Sequence, residues 1–267
     1  MKVAIIYTGM VRTMEKTLPF FKQNVNHHVF AVIQSENKEQ DLILLQQMGQ
    51  HLKSYQWFDK QDPEWITLQQ HLLNKMTLNS GWKHYIGTES GSMIEYYQMY
   101  LAYLNLLQYE IDNHIEYDYI MRLRTDVVIT RPIHFFNQNS FDLIDHDKQS
   151  ILKLMTSILD PNRYQGDVNR YCYPSSMAYQ QLIKPHDDWI NQFKNYLNQK
   201  QYLITMRENL IYYGPREVFT KIHQLGVFYG KFKDHMNPYW FNAESQFRGI
   251  CAFYDIDIFD SCSELEA

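Results

Sequence analysis

The sequence is short of several things, and each shortage removes a class of function. No stretch of the 267 residues is long and apolar enough to read as a transmembrane helix. The opening run Met1-Lys2-Val3-Ala4-Ile5-Ile6-Tyr7 is too short and too quickly broken for a signal peptide. A basic surplus is also missing: the formal net charge is −5, which argues against nucleic acid as a partner. Cysteine is scarce. Cys172, Cys251 and Cys262 are odd in number and lack metal-type spacing, so reduced thiols in a cytoplasm are expected. The eleven histidines are scattered without a paired ligand pattern on a helix. There is no internal repeat, low-complexity linker or GxGxxG loop.

What is present is a globular composition, 45% hydrophobic, in a chain of 32.2 kDa that can bury a substantial core. The pattern alternates strands and helices. Lys2–Tyr7 is a continuous apolar run closed by Thr8-Gly9, as expected of a parallel strand buried on both faces. A helical stretch follows to about Val25, and His28–Gln34 reads as a second strand. Leu42, Leu45, Met48 and Leu52 give a helical period from Lys38 to about Leu52, before a short strand at 54–58. Asp62-Pro63-Glu64 suits a helix start, with Trp65, Leu68, Leu72 and Leu73 on one face. Ser92 and Glu95 have capping-box spacing, and Ile94, Met99, Leu101, Leu104, Leu107 and Ile111 carry the helix to about Asn113. Met93, Tyr96, Tyr97 and Tyr100 read as packing against a sheet. The expected fold is α/β: a doubly wound, mostly parallel sheet flanked by helices.

The most strand-like stretch is Tyr117 to Pro132. Side chains alternate across a strand, so Ile120, Arg122, Arg124 and Asp126 share one face, opposite Tyr119, Met121 and Leu123. Unpaired charges there are costly to bury. Either this is an edge strand whose polar face is solvated, with Arg122 or Arg124 paired to Asp126, or the sheet ends there at a site where a charged ligand arrives. The turn Thr8, Gly9, Met10, Val11, Arg12 offers the same choice between an ordinary turn and an anion site.

Later segments are less regular. Ile151–Leu159 is an apolar run ended by Asp160-Pro161. Residues 169–177 are loop-like and aromatic, about Trp189–Asn198 looks helical, and Glu217–Leu225 suits another helix. Asn242 fits an N-cap that sets Glu244 in a first turn, after the aromatic run Tyr239-Trp240-Phe241. Glu244 is then a helix-dipole carboxylate or a general base. Asp187 and Asp188 form a rival acidic pair, or simply begin the helix of Trp189.

Two of these pieces together resemble a known family. A strand-Gly-x-x-Arg at Gly9–Arg12 and the strand Tyr117-Asp118-Tyr119 through Arg122-x-Arg124-x-Asp126 are similar to the donor site of GT-A fold glycosyltransferases of the small bacterial and large-DNA-virus type. The resemblance implies a Rossmann-like GT-A domain over 1–267. Residues 1–131 would form the nucleotide-sugar-binding half and 132–267 the acceptor-binding half. It implies transfer of a sugar from a nucleoside-diphosphate donor to a hydroxyl of a glycan or lipid-linked acceptor, in the cytoplasm (the host's, for a viral member). Thr8, Gly9, Arg12, Arg124 and Asp126 would meet the donor. In that family an Asp-x-Asp triplet holds a divalent metal, Mn²⁺ or Mg²⁺, on the pyrophosphate. Here the triplet is Arg124-Thr125-Asp126, so only the second acid matches. A metal would rest on Asp126 with other ligands, His235 the nearest by position, or Arg124 would contact the diphosphate or orient Asp126. Glu244 stands where many inverting members carry their base. Two other functions stay open: a catalytically silent nucleotide- or carbohydrate-binding protein, and a sugar-phosphate nucleotidyltransferase. Against the latter, its glycine-richer first loop and following lysine are missing.

Overall fold

The computed structural model describes residues 1–75, 84, 92–129, 133, 135, 201–207, 210–222, 247, 250, 251, 253, 254 and 256–260. Asp187, Asp188, His235, Glu244, Cys172, Cys262 and the segments read above at 151–159, 169–177 and 189–198 lie outside these residues.

Among the described residues, seven strands form one sheet in the order β3-β2-β1-β4-β6-β5-β7. They are β1 Val3–Met10, β2 His28–Gln34, β3 Leu52–Phe58, β4 Tyr119–Arg124, β5 Tyr202–Arg207, β6 Ile211–Pro215 and β7 Asp257–Asp260. All neighbouring pairs are parallel except the two that involve β6, which runs against β4 and β5. This is a mostly parallel, Rossmann-like α/β fold, as the alternating pattern implies. Strands from both ends of the chain share the one sheet.

β1 shows why the opening run is apolar at every position. Ala4 and Ile6 point into one core, with Phe30, Val32 and the long helix α4, Ser92–Asn113. Val3, Ile5 and Tyr7 point into the other, with Met14, Leu18 and Phe21 of helix α1, Met14–Asn24. A strand sandwiched this way has no solvent face to mark with polar residues.

Two expectations need correction. The helix after β2, α2 (Lys38–Gln46), ends before Leu52, because Gly49 takes a φ of +57° and the chain turns through Gly49–His51. β3 therefore begins at Leu52. The inward stripe of α4 is Met93, Tyr96, Met99, Ala102, Tyr103 and Leu106, whereas Leu104 is 40% exposed and Ile111 66% exposed. Apolar residues occur all around this helix, so periodicity alone does not single out the buried face. The helix α3, Pro63–Lys75, starts where Asp62-Pro63 places it and buries Trp65, Leu72 and Leu73. Trp65 stacks on Tyr97 with ring centroids 4.8 Å apart.

β4 is shorter than its sequence run, ending at Arg124, but its faces divide as alternation requires. Ile120 joins the α4 core, while Met121 and Leu123 join the α1 core with Tyr119 against it.

Candidate functional site

The order of the strands decides where a ligand can enter. The chain builds β1, β2 and β3 outward in one direction, then returns to lay β4 on the opposite side of β1. In open α/β sheets the crevice beyond the carboxyl ends of the strands at such a switch point is the binding position. The carboxyl ends here are Thr8-Gly9-Met10 of β1 and Arg124-Thr125-Asp126 following β4. Between them opens a cleft of about 380 Å³, lined also by Arg12, Gln34, Lys60, Arg122 and the first turns of α4 through Ile94, Glu95 and Gln98. That volume is in the range of small-ligand sites. Thr8, Gly9, Arg12, Arg124 and Asp126, singled out from sequence, therefore come together at one place.

Thr125 ties the two strand ends. Its amide donates to the Thr8 carbonyl at 3.0 Å and its hydroxyl to the Met10 carbonyl at 2.7 Å, while Thr17 of α1 donates to its carbonyl at 2.7 Å. Gly9 permits this closeness. Its φ is +138°, and a Cβ there would collide with Thr125 Oγ1. Gln98 Nε2 reaches the Gly9 carbonyl at 3.4 Å from above.

The charges are arranged in pairs. Arg122, wholly buried, donates from Nη2 to Glu95 Oε1 at 2.5 Å, and its guanidinium lies 6.0 Å from the Tyr212 ring centre. Arg124 grips Asp126 in bidentate fashion, Nε to Oδ1 at 2.9 Å and Nη2 to Oδ2 at 2.6 Å. Burial alone would raise the Asp126 carboxyl. The Arg124 guanidinium, assisted by the backbone and the charge on Arg122, outweighs it and holds that carboxyl below its usual value. Asp126 is thus ionised and spoken for at neutral pH. Of the sequence alternatives for this strand, the Arg124–Asp126 pair and the position beside a cleft both hold, but an edge strand with a solvated polar face does not: β4 lies between β1 and β6, and Arg122 is wholly buried.

The lining counts four cations, Arg12, Lys60, Arg122 and Arg124, against two carboxylates, Glu95 and Asp126. Once each carboxylate is matched to its arginine, Arg12 and Lys60 remain, giving an excess of two positive charges in a chain whose net charge is −5. An anion is the ligand such a cleft favours.

A divalent cation suits it poorly. Both oxygens of Asp126 already accept from a guanidinium, the other carboxylate is committed to a buried arginine, and the neighbouring charges are positive. Among the described residues no three acidic, histidine or cysteine side chains are grouped to hold a metal ion.

Glu95, Lys60, Gln34 and Gln98 were not foreseen as site residues. Glu95 carried a signal: a carboxylate in the first turn of the helix leading to the strand whose face holds an unmatched arginine. Lys60 carried none, since its place depends on the β3–α3 turn reaching the cleft.

No protein-family model matches this chain, and no curated protein matches it either. No helix among the described residues is long and apolar enough to cross a membrane.

Proposed function

We propose that the chain is a glycosyltransferase of the GT-A type that takes a nucleoside-diphosphate sugar in the β1/β4 cleft. The observation that carries this is the excess of two cations at the switch point of a mostly parallel sheet. In the reaction an acceptor hydroxyl oxygen bonds the anomeric carbon, and the bond from that carbon to the diphosphate oxygen breaks. The electron pair leaves on the nucleoside diphosphate, and the acceptor proton passes to a base. Developing charge on the leaving diphosphate meets preformed cations, which lowers the barrier.

The base is not one of the two cleft carboxylates, because Asp126 and Glu95 are each bound to an arginine. Glu244 remains the choice on sequence grounds, with Asp187 and Asp188 behind it. The acceptor, a glycan or lipid-linked hydroxyl, belongs to the same reading. That both cleft carboxylates are engaged also favours a second reading, a protein that binds a nucleotide or carbohydrate without transferring it.

A panel of nucleotide sugars, followed for hydrolysis and for transfer to glycan acceptors, separates the two. The transferase reading expects turnover with at least one donor, and a fall in kcat of roughly 10²-fold in Glu244→Gln with donor affinity almost unchanged. Binding without turnover across the panel leaves the silent reading. Unchanged turnover in Glu244→Gln moves the base to Asp187 or Asp188.

A further inference from the structure

We infer that the cleft neutralises a diphosphate with side-chain cations, chiefly Arg12 and Lys60, and holds it without a divalent metal ion. The inference rests on the donor-site reading for the ligand's identity, and its own content is the chemistry of charge compensation.

Arg12 stands on the turn directly after β1, and Lys60 on the turn after β3, so the two approach the cleft from separate elements. Both are exposed, and neither makes an ion pair or hydrogen bond among the described residues. Their charges are therefore free to be spent on a ligand, and placing an anion between them exchanges water for two opposite charges. Thr8 also lines the cleft, but its hydroxyl is buried from the cleft space and adds no contact to the ligand.

The acidic side chains point the same way. A metal seated on Asp126 would compete with Arg124 for the charge on its two oxygens and would share the cleft with four cations. The bidentate pair is better suited to fixing the Arg124 plane on the cleft floor. Arginine supplies rigid forked donors for phosphate oxygens, and lysine a mobile point charge.

The test is calorimetric titration of the full chain with inorganic pyrophosphate and with uridine, guanosine, cytidine and thymidine diphosphates. Each is run in EDTA and again with Mn²⁺. The expected result is binding of pyrophosphate and at least one nucleotide in EDTA, changed by Mn²⁺ less than about threefold. Arg12→Ala and Lys60→Ala should each weaken it by about tenfold, the scale of one lost hydrogen bond to a charged group. The weakening should shrink as salt is raised, while the unfolding midpoint of the free protein stays put. Binding that needs Mn²⁺ or tightens with it more than threefold overturns the inference. So does the absence of binding under both conditions, or wild-type affinity in the Arg12→Ala, Lys60→Ala double variant. The two proposals fail separately. Turnover of a nucleotide sugar that EDTA abolishes removes the metal-free cleft and keeps the transferase; metal-free pyrophosphate binding with no turnover does the reverse.

Discussion

Glu95→Ala should lower the free energy of unfolding by about 3–5 kcal/mol, the cost of leaving a buried charge without its counter-ion. Arg122 has no side-chain exposure and Glu95 only 18%, so the pair is largely shielded from solvent. The guanidinium would stay in the α4 core near Tyr212 without its Glu95 carboxylate. The pair itself need not be stabilising against an apolar alternative. Arg122→Met combined with Glu95→Leu should therefore recover most of the loss, which a double-mutant cycle in urea measures directly. A cost below about 1 kcal/mol for Glu95→Ala would mean that the pair is wetter than its burial implies. The pair joins the first turn of α4 to β4, so it also fixes the cleft wall against the cleft floor.

Gly9→Ala should cost about 2–4 kcal/mol and abolish ligand binding in the cleft. Two penalties combine: a backbone conformation that a side chain rarely adopts, and a Cβ driven into Thr125 Oγ1. The second penalty falls on the hydrogen bond from Thr125 to Met10, which holds the ends of β1 and β4 together. Adding Thr125→Ala removes the collision and leaves the backbone strain. The double variant should thus regain part of the stability but not the binding. Full stability in Gly9→Ala, read from the midpoint of chemical unfolding, would contradict the geometry drawn for this turn.

Much of this was readable in the sequence, for reasons that differ by element. β1 and β2 announce themselves because a strand buried on both faces is apolar throughout. The face of β4 follows from the two-residue period once one charge is placed. α4 was legible in part: Met93, Tyr96 and Met99 are buried as read and Ile94, Leu101 and Leu107 pack against the core, while Leu104 and Ile111 meet solvent because apolar residues on every side blur the direction of the face. β7 was passed over because its partner β5 lies far back in the chain; β5 was passed over too, although Tyr202-Leu203-Ile204-Thr205 has strand composition and its antiparallel partner β6 follows directly.

The donor residues on β1 and β4 were legible because they lie next to strand ends. Lys60 joins the same cleft only because the turn after β3 reaches it, which no local pattern encodes, whereas Glu95 was signalled by its place in the first turn of the helix that leads to β4. The Arg-x-Arg-x-Asp run looked like a metal motif missing one acid. In three dimensions its two arginines have different partners, Glu95 and Asp126, and the sole acid of the run is held by its neighbour.

The most direct measurement of the central claim is amide hydrogen exchange, with and without the tightest-binding nucleoside diphosphate found in the panel. An anion seated at the β1/β4 switch point should slow exchange in the segments Thr8–Arg12 and Arg124–Asp126, and in the turn holding Lys60, while leaving the far edge of the sheet unchanged. Arg12→Ala should erase that protection at the same nucleotide concentration. Protection elsewhere, with none at these segments, would contradict the account.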